Sequence, residues 1–202
     1  MGEAAITTAR RDDSNNGWLG LLGGLLTTQF LGAFNDNAWK QLVVLLAVAA
    51  AASEAEGQRR TAIAQIVLMA PLLAVSLPAG VLADRVGKKS VIVSMKVFEL
   101  VLMALGTVAL LLQPAGGWPA LAILGLLGVQ AALFSPAKYG IMPELLRHDR
   151  LSQGNGLLEM TTNLAILGGT VAGGVLLSLS GDKPWHAGIL LVLFSIGGLV
   201  SS

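Results

Sequence analysis

Six long apolar stretches, separated by short polar or turn-forming segments, restrict the fold of this chain more than any other feature. A helix needs about 20 mostly apolar residues to cross a bilayer. The predicted spans lie at about 22–49, 61–82, 90–112, 118–138, 155–179 and 185–202. Only 12% of the residues are charged, against roughly a quarter in a soluble domain. The alternating segments of about ten residues that form membrane β-barrels are absent. The sequence therefore predicts an all-α membrane protein with six transmembrane helices.

The positions of Lys and Arg between these spans predict the orientation of the bundle, because cytoplasmic connections carry an excess of them. One side would hold Arg10, Arg11, Arg85, Lys88, Lys89, Arg147 and Arg150. The other side would hold only Arg59, Arg60 and Lys183. We therefore expect a cytoplasmic amino-terminal tail at 1–17 and a helical bundle at 18–202. No cation follows the sixth span, so we interpret the chain as truncated at the end of that span.

Residues that could carry catalysis or bind a metal are scarce. The chain has no cysteine, which excludes thiol chemistry and thiolate metal sites. Neither His148 nor His186 has an Asp five residues later, so the His-x4-Asp acyltransferase motif is absent. We expect no enzymatic activity within these residues, no metal, no cofactor and no nucleic-acid partner.

A cluster of polar residues interrupts the first apolar stretch at Asn35, Asp36, Asn37 and Lys40. Lipid cannot satisfy such groups, so they must face other helices or a water-filled path. Asp36 and Lys40 are four residues apart, so they could form a local ion pair that only holds helices together. The alternative is a substrate or ion site, and the residues alone leave both interpretations open.

Further polar residues fall within the later spans. Lys96 and Glu99 are three apart in span three and could form a local ion pair or line a polar cavity. In span five, Asn155, Glu159 and Asn163 recur every four residues, which predicts one polar face. No cation lies three or four residues from Glu159, so its expected partners are Lys40, Lys96 or a ligand ammonium group.

Proline and glycine residues mark where helices should end or approach each other. Pro136 is expected to break span four, with Lys138 just past the break as a snorkelling lysine or a site residue. The Gly168–Gly174 stretch places small residues four apart, which predicts close helix packing rather than a nucleotide-binding loop.

The connection between spans two and three reads Gly80-Val81-Leu82-Ala83-Asp84-Arg85-Val86-Gly87-Lys88-Lys89. We expect Gly80 to allow close packing and Gly87 to take the positive φ that ends a helix. The string closely resembles the loop signature of the major facilitator superfamily, G-x-x-x-D-R-x-G-R/K-K/R. That resemblance implies that Asp84 contacts a helix amino terminus in the second half of a transporter and locks one access state. The implied conformational-switch residues are Gly80, Asp84, Arg85, Gly87, Lys88 and Lys89.

Three other strings resemble the bacterial lysophospholipid transporter family. They are Ala33-Phe34-Asn35-Asp36-Asn37, Phe134–Leu145 and Asn155-Gly156-Leu157-Leu158-Glu159. Lys96 and Glu99 look more like the members fused to acyltransferase and acyl-carrier-protein synthetase domains. The resemblance runs from about residue 25 and matches the amino-terminal half of such a transporter. It implies a multi-pass protein of the bacterial inner membrane that moves lysophosphatidylethanolamine-type lipids to the cytoplasmic leaflet for reacylation. Its implied partners are the lysophospholipid and a missing carboxy-terminal six-helix half.

The resemblance further implies that Asp36, Asn37 and Glu159 line a headgroup cavity, whereas Lys40 departs from the pattern of the stand-alone transporters. The full set of predicted substrate-binding residues is Asp36, Asn37, Lys40, Lys96, Glu99, Lys138, Glu159 and Asn163. Two other functions stay open: a proton-driven solute or drug transporter that uses an intramembrane Glu, and a truncated fragment that does not transport.

Overall fold

The computed structural model describes the backbone of residues 2–202, and their side chains except at 2–19, 21 and 82–84. Over these residues the chain forms six long helices, one short α-helix and one 3₁₀ turn, with no strand. The α-helices are α1 (Gly2–Ala49), α2 (Glu54–Arg85), α3 (Lys88–Leu112), α4 (Gly117–Gly140), α5 (Met142–Leu145), α6 (Leu151–Ser180) and α7 (Trp185–Val200). The 3₁₀ turn covers His148–Arg150, just before α6. The predicted all-α class with six long helices is confirmed.

Several helices are long and apolar enough to cross a membrane. Among the described residues these are Glu54–Val81, Lys88–Leu112, Gly117–Leu145 and His148–Ser180, with Trp185–Val200 as a shorter apolar helix. Large apolar side chains also point outward, including Leu77 at 83% exposure and Leu112 at 80%. Such a surface is stable in lipid rather than in water. The chain is a multi-pass membrane protein.

Glycines decide which helices approach most closely. α1 packs mainly on α6, α2 on α4, and α3 on both α4 and α7. A Cβ on Gly169 would overlap the backbone carbonyl oxygen of Phe34, and one on Gly173 would lie 2.5 Å from that of Ala38. Backbone atoms cannot move aside as a flexible side chain can. The packing role predicted for Gly168–Gly174 is therefore confirmed, at the α1–α6 contact.

Two predicted helix ends are wrong. The segment 53–60, expected as a loop, contains the start of α2, because the Ser53 hydroxyl accepts a hydrogen bond from the Glu56 amide at 3.3 Å. The Glu56 carboxylate in turn accepts one from the Ala52 amide at 2.9 Å, so both side chains cap the helix. Likewise α4 does not break at Pro136 but continues to Gly140. Ala137 and Lys138, just past the proline, are buried in the bundle, where helical backbone satisfies its own hydrogen bonds.

The turn between α2 and α3 is tight, since α2 ends at Arg85 and α3 begins at Lys88. Two glycine roles assigned to it are wrong. Gly87 has a φ of −55° and stands just before the first turn of α3, and a Cβ on Gly80 would meet no atom within 4 Å. Helix α3 restarts at once, so no left-handed residue is needed. The Asp84 side chain lies outside the described residues, so its locking role stays a prediction.

One cation of this turn, Lys88, contacts the segment after α4. The Lys88 ammonium lies 2.6 Å from the Glu144 carboxylate, an exposed ion pair. The stem of Lys88 crosses Gly140, where a Cβ would lie 3.1 Å from its Cε atom. Arg85 and Lys89 are exposed. The turn is thereby tied to α5.

Candidate substrate-binding site

Helices α1, α2, α3, α4 and α6 enclose a cavity of about 320 Å³, which we call the central cavity. Its polar and charged lining residues are Gln29, Asp36, Asn37, Lys40, Lys96, Glu99, Gln130, Ser135, Lys138 and Thr162. The structure therefore brings together six of the predicted residues: Asp36, Asn37, Lys40, Lys96, Glu99 and Lys138. Glu159 and Asn163 do not line the cavity.

Helical periodicity explains which polar residues of α1 face the cavity. Gln29, Gly32, Ala33, Asp36, Asn37 and Lys40 line it at alternating spacings of three and one, which is a single stripe of a helix. Asn35 and Trp39 fall on the opposite side and are fully buried in the bundle. Adjacent residues of one polar cluster thus serve two different environments.

The local ion pair considered between Asp36 and Lys40 does not form. The Lys40 ammonium donates instead to the Asn37 side-chain oxygen at 2.9 Å, and the Asn37 amide donates to the Ala33 carbonyl at 2.8 Å. The Oδ1 atom of Asp36 is buried and has no hydrogen-bond partner. A buried carboxylate oxygen without a donor is costly, so Asp36 is available to a ligand.

Lys96 and Glu99 do form the local ion pair, at 2.6 Å between Nζ and Oε2, with side chains only 2% and 1% exposed. Two residues outside the predicted substrate-binding set, Asn35 and Ser195, complete the group. Asn35 donates to Ser195 at 2.8 Å and to Glu99 at 3.4 Å, and the Ser195 hydroxyl lies 3.5 Å from Glu99. These four residues, the buried quartet, join α1, α3 and α7.

The buried quartet leaves no room for a side chain at position 32 of α1, which is occupied by Gly32. A Cβ at Gly32 would overlap the Lys96 ammonium. Lys96 also lies 5.4 Å from the centre of the Phe134 ring, a distance at which a cation interacts with an aromatic face. The Lys96–Glu99 pair is therefore closely packed at the edge of the cavity.

Lys138 is a buried cation of α4 rather than a snorkelling one, since it is only 8% exposed. Its ammonium lies 4.8 Å from the centre of the Tyr139 ring. Among the described residues it forms no ion pair with a carboxylate, and the same holds for Lys40. The cavity therefore holds two cations, Lys40 and Lys138, whose charge no neighbouring carboxylate neutralises by direct contact.

Glu159 has a different partner from those expected. The Tyr139 hydroxyl donates a hydrogen bond to its carboxylate, and neither Lys40 nor Lys96 pairs with it. Asn155, Glu159 and Asn163 are all exposed on α6. The polar face predicted for this helix exists, and it points out of the described bundle.

Four polar cavity residues were missed from the sequence: Gln29, Gln130, Ser135 and Thr162. Gln29 of α1 donates to the Thr162 hydroxyl of α6 at 2.9 Å. Gln130 of α4 is 2% exposed, and its side-chain oxygen has no partner. Each glutamine is an isolated amide within an apolar span, and that isolation was the available signal.

The structure is a membrane protein of the helical-bundle type, with six long helices of which five line a buried polar cavity. The sequence profile of the Major Facilitator Superfamily matches residues 57–201. The chain belongs to this superfamily, and its six long helices form one six-helix half of such a transporter.

Individual relatives carry more specific names. The chain is 36% identical over 172 residues to the Lysophospholipid transporter LplT of Photorhabdus laumondii, covering 85% of this chain and 39% of the relative. It is 35% identical over 185 residues to the protein of that name from Escherichia coli O1:K1, covering 91% and 42%. For the one from Cronobacter sakazakii the identity is 34% over 167 residues, covering 83% and 38%. The chain thus spans about two fifths of the length of these curated relatives. No solved structure matches it.

Proposed function

We propose that this protein moves lysophospholipids of the lysophosphatidylethanolamine type across the bacterial inner membrane, towards the cytoplasmic leaflet for reacylation. The observation that carries the proposal is the unpartnered Oδ1 atom of Asp36 in a cavity that also contains two lysines without a direct ion pair among the described residues. The similarity to proteins named lysophospholipid transporters supports the substrate class. The excess of Lys and Arg on one side supports a cytoplasmic amino terminus.

The charges of the central cavity match a zwitterionic headgroup. Lys96 and Glu99 pair with each other, which leaves the carboxyl group of Asp36 and the amino groups of Lys40 and Lys138 to meet a ligand. A primary ammonium group would donate hydrogen bonds to Asp36, and a phosphodiester would accept them from the two lysines. Asn37 holds Lys40 in place through the hydrogen bond between them.

The size of the cavity suits a headgroup more than a whole lipid. At about 320 Å³ it lies at the lower end of the range of roughly 300–1,000 Å³ found for small-molecule sites. Leu68, Met69 and Leu72 of α2 form part of its apolar wall. The single acyl chain would remain among apolar side chains or in lipid.

Two further parts of the proposal concern regions beyond the cavity. The outward polar face of α6, with Glu159 and Asn163, would line the path shared with a second six-helix half. The turn containing Gly80, Asp84, Arg85, Gly87, Lys88 and Lys89 would stabilise one access state against that half. Acyltransferase and acyl-carrier-protein synthetase domains would use the delivered lysolipid.

The test is the substitution Asp36→Asn in the complete protein as the cell makes it. Losing the charge removes the strong hydrogen bonds to the ammonium, so uptake of radiolabelled lysophosphatidylethanolamine by spheroplasts should fall at least about tenfold. Asp182→Asn is the matched control, because Asp182 is exposed outside the cavity. Wild-type uptake by the Asp36→Asn protein, at equal membrane abundance, would refute the assignment.

A further inference from the structure

A second polar cavity lies at the end of the bundle opposite the α2–α3 turn. It has a volume of about 380 Å³ and lies between the end of α1, the first turns of α2 and the turn joining α3 to α4. We call it the terminal cavity. Its polar and aromatic lining residues are Glu56, Arg59, Arg60, Gln113 and Trp118. None of them belongs to the central cavity.

One cation of the terminal cavity is engaged within the protein and the other is not. Arg60 donates to Glu56 through Nε at 3.0 Å and Nη2 at 2.6 Å, and to the Ala47 carbonyl through Nη1 at 3.3 Å. The Glu56 carboxylate, which lines the cavity, is therefore already paired with Arg60. Arg59 forms no hydrogen bond or ion pair with any described residue, although it lines the same space. Its charge acts on Glu56 only through space, so its guanidinium donors have no hydrogen-bond partner among the described residues.

The rest of the lining has the layout of an amphiphile site. Val43, Ile63 and Leu121 form an apolar wall on the side of the bundle interior. Trp118 stands at the first turn of α4 and is 77% exposed. Tryptophan at the end of a membrane helix sits at the level of the lipid headgroups. An apolar wall beneath an arginine and a tryptophan thus spans the boundary between headgroup and acyl chain.

We propose that the terminal cavity binds the phosphodiester of a membrane lipid, with Arg59 donating hydrogen bonds to the phosphate oxygens. The planar guanidinium group matches a phosphate with two parallel hydrogen bonds. Gln113 supplies an additional amide donor, and the start of the acyl chains lies against the apolar wall. Basic pockets between membrane helices bind lipid headgroups in this manner. This binding stands independently of whether the protein transports lysolipid.

The experiment uses the complete protein in phosphatidylcholine nanodiscs that contain a phosphatidylglycerol probe with a photoreactive group next to its phosphate. Cross-linked peptides are mapped by mass spectrometry, so binding at the terminal cavity is read at segments 56–63 and 113–121. Arg59→Gln should lower the yield there at least about tenfold, because a charge-assisted hydrogen bond is lost. Arg59→Lys should retain only part of the yield, because it keeps the charge but cannot make two parallel hydrogen bonds. Lys183→Gln is the matched control, an exposed cation of the α6–α7 turn outside the cavity.

Three results would overturn the proposal. The first is an unchanged yield at these segments in the Arg59→Gln protein. The second is an equal loss in the Lys183→Gln protein, because it would indicate general attraction to a basic surface. The third is equal competition by soluble glycerol 3-phosphate and by unlabelled phosphatidylglycerol, because the occupant would then be a free anion. Arg59 is exposed and forms no hydrogen bond or ion pair with a described residue, so its replacement should leave the fold intact.

Discussion

Replacing Lys96 or Glu99 alone, and then both together, should measure how strongly the two charges depend on each other. At a separation of 2.6 Å, two unit charges attract by about 6 kcal/mol at an effective dielectric constant of about 20. Removing both ions from water costs a similar amount. The pair as a whole therefore contributes little net stability compared with two apolar side chains, but each partner needs the other.

The cost of a single substitution follows from the proton that the remaining partner must gain or lose. In Lys96→Met, holding Glu99 uncharged at pH 7 costs about 3.7 kcal/mol, since the pKa of glutamic acid in water is about 4.3. In Glu99→Met, holding Lys96 uncharged costs about 4.6 kcal/mol, from a pKa of about 10.4 in water. The double variant should lie within about 1 kcal/mol of wild type, because Asn35 keeps its hydrogen bond to Ser195.

The assay is equilibrium unfolding of the complete protein in mixed micelles, for wild type, both single variants and the double variant. The two single costs sum to about 8 kcal/mol, so the cycle should give a coupling near 7 kcal/mol. Lowering the pH should change the costs of the two single substitutions in opposite directions. At pH 5 the cost of Lys96→Met should shrink to about 1 kcal/mol, because the lone carboxyl is protonated more easily. The cost of Glu99→Met should grow.

Additive costs in the double variant would refute this reasoning, since they would mean that the two charges do not depend on each other. Equal pH dependence of the two single variants would contradict it independently. In that case solvent would reach the pair, and the burial of both side chains in the structure would not describe the protein in micelles.

Two other substitutions test the helix packing and the Lys88–Glu144 ion pair. Gly169→Ala should destabilise the bundle by about 1–3 kcal/mol, because its methyl group overlaps the Phe34 backbone. The control Gly156→Ala, on the same helix, meets no atom within 4 Å and should be neutral or slightly stabilising. Thermal unfolding of both variants checks this, and equal losses of stability would contradict the close α1–α6 approach. Lys88→Gln should change the free energy of unfolding by less than about 1 kcal/mol, because its partner Glu144 is 59% exposed; a loss of several kcal/mol in the same measurement would mean that the pair is shielded from solvent.

Predictions of helix ends from local sequence patterns were wrong where packing or capping determined the helix boundary. Pro136 suggested a break, yet its neighbours Ala137 and Lys138 are buried against other helices and the helix continues. Residues 54–60 looked like a loop because they are polar, but Ser53 and Glu56 cap them into the start of α2. Gly87 was expected at positive φ, although α3 restarts too soon to need it.

The sequence by itself determined that this chain is a bundle of six apolar helices, because its apolar stretches favour lipid and lipid admits few other structures. It also identified the polar residues worth attention, since charge within an apolar span has to be satisfied. Only the tertiary structure decided their partners. Asp36 and Asn35 are adjacent in sequence, but the rotation of α1 directs one into the central cavity and the other to Ser195. Spacing within one helix cannot predict that division, because it depends on which neighbouring helix covers each face.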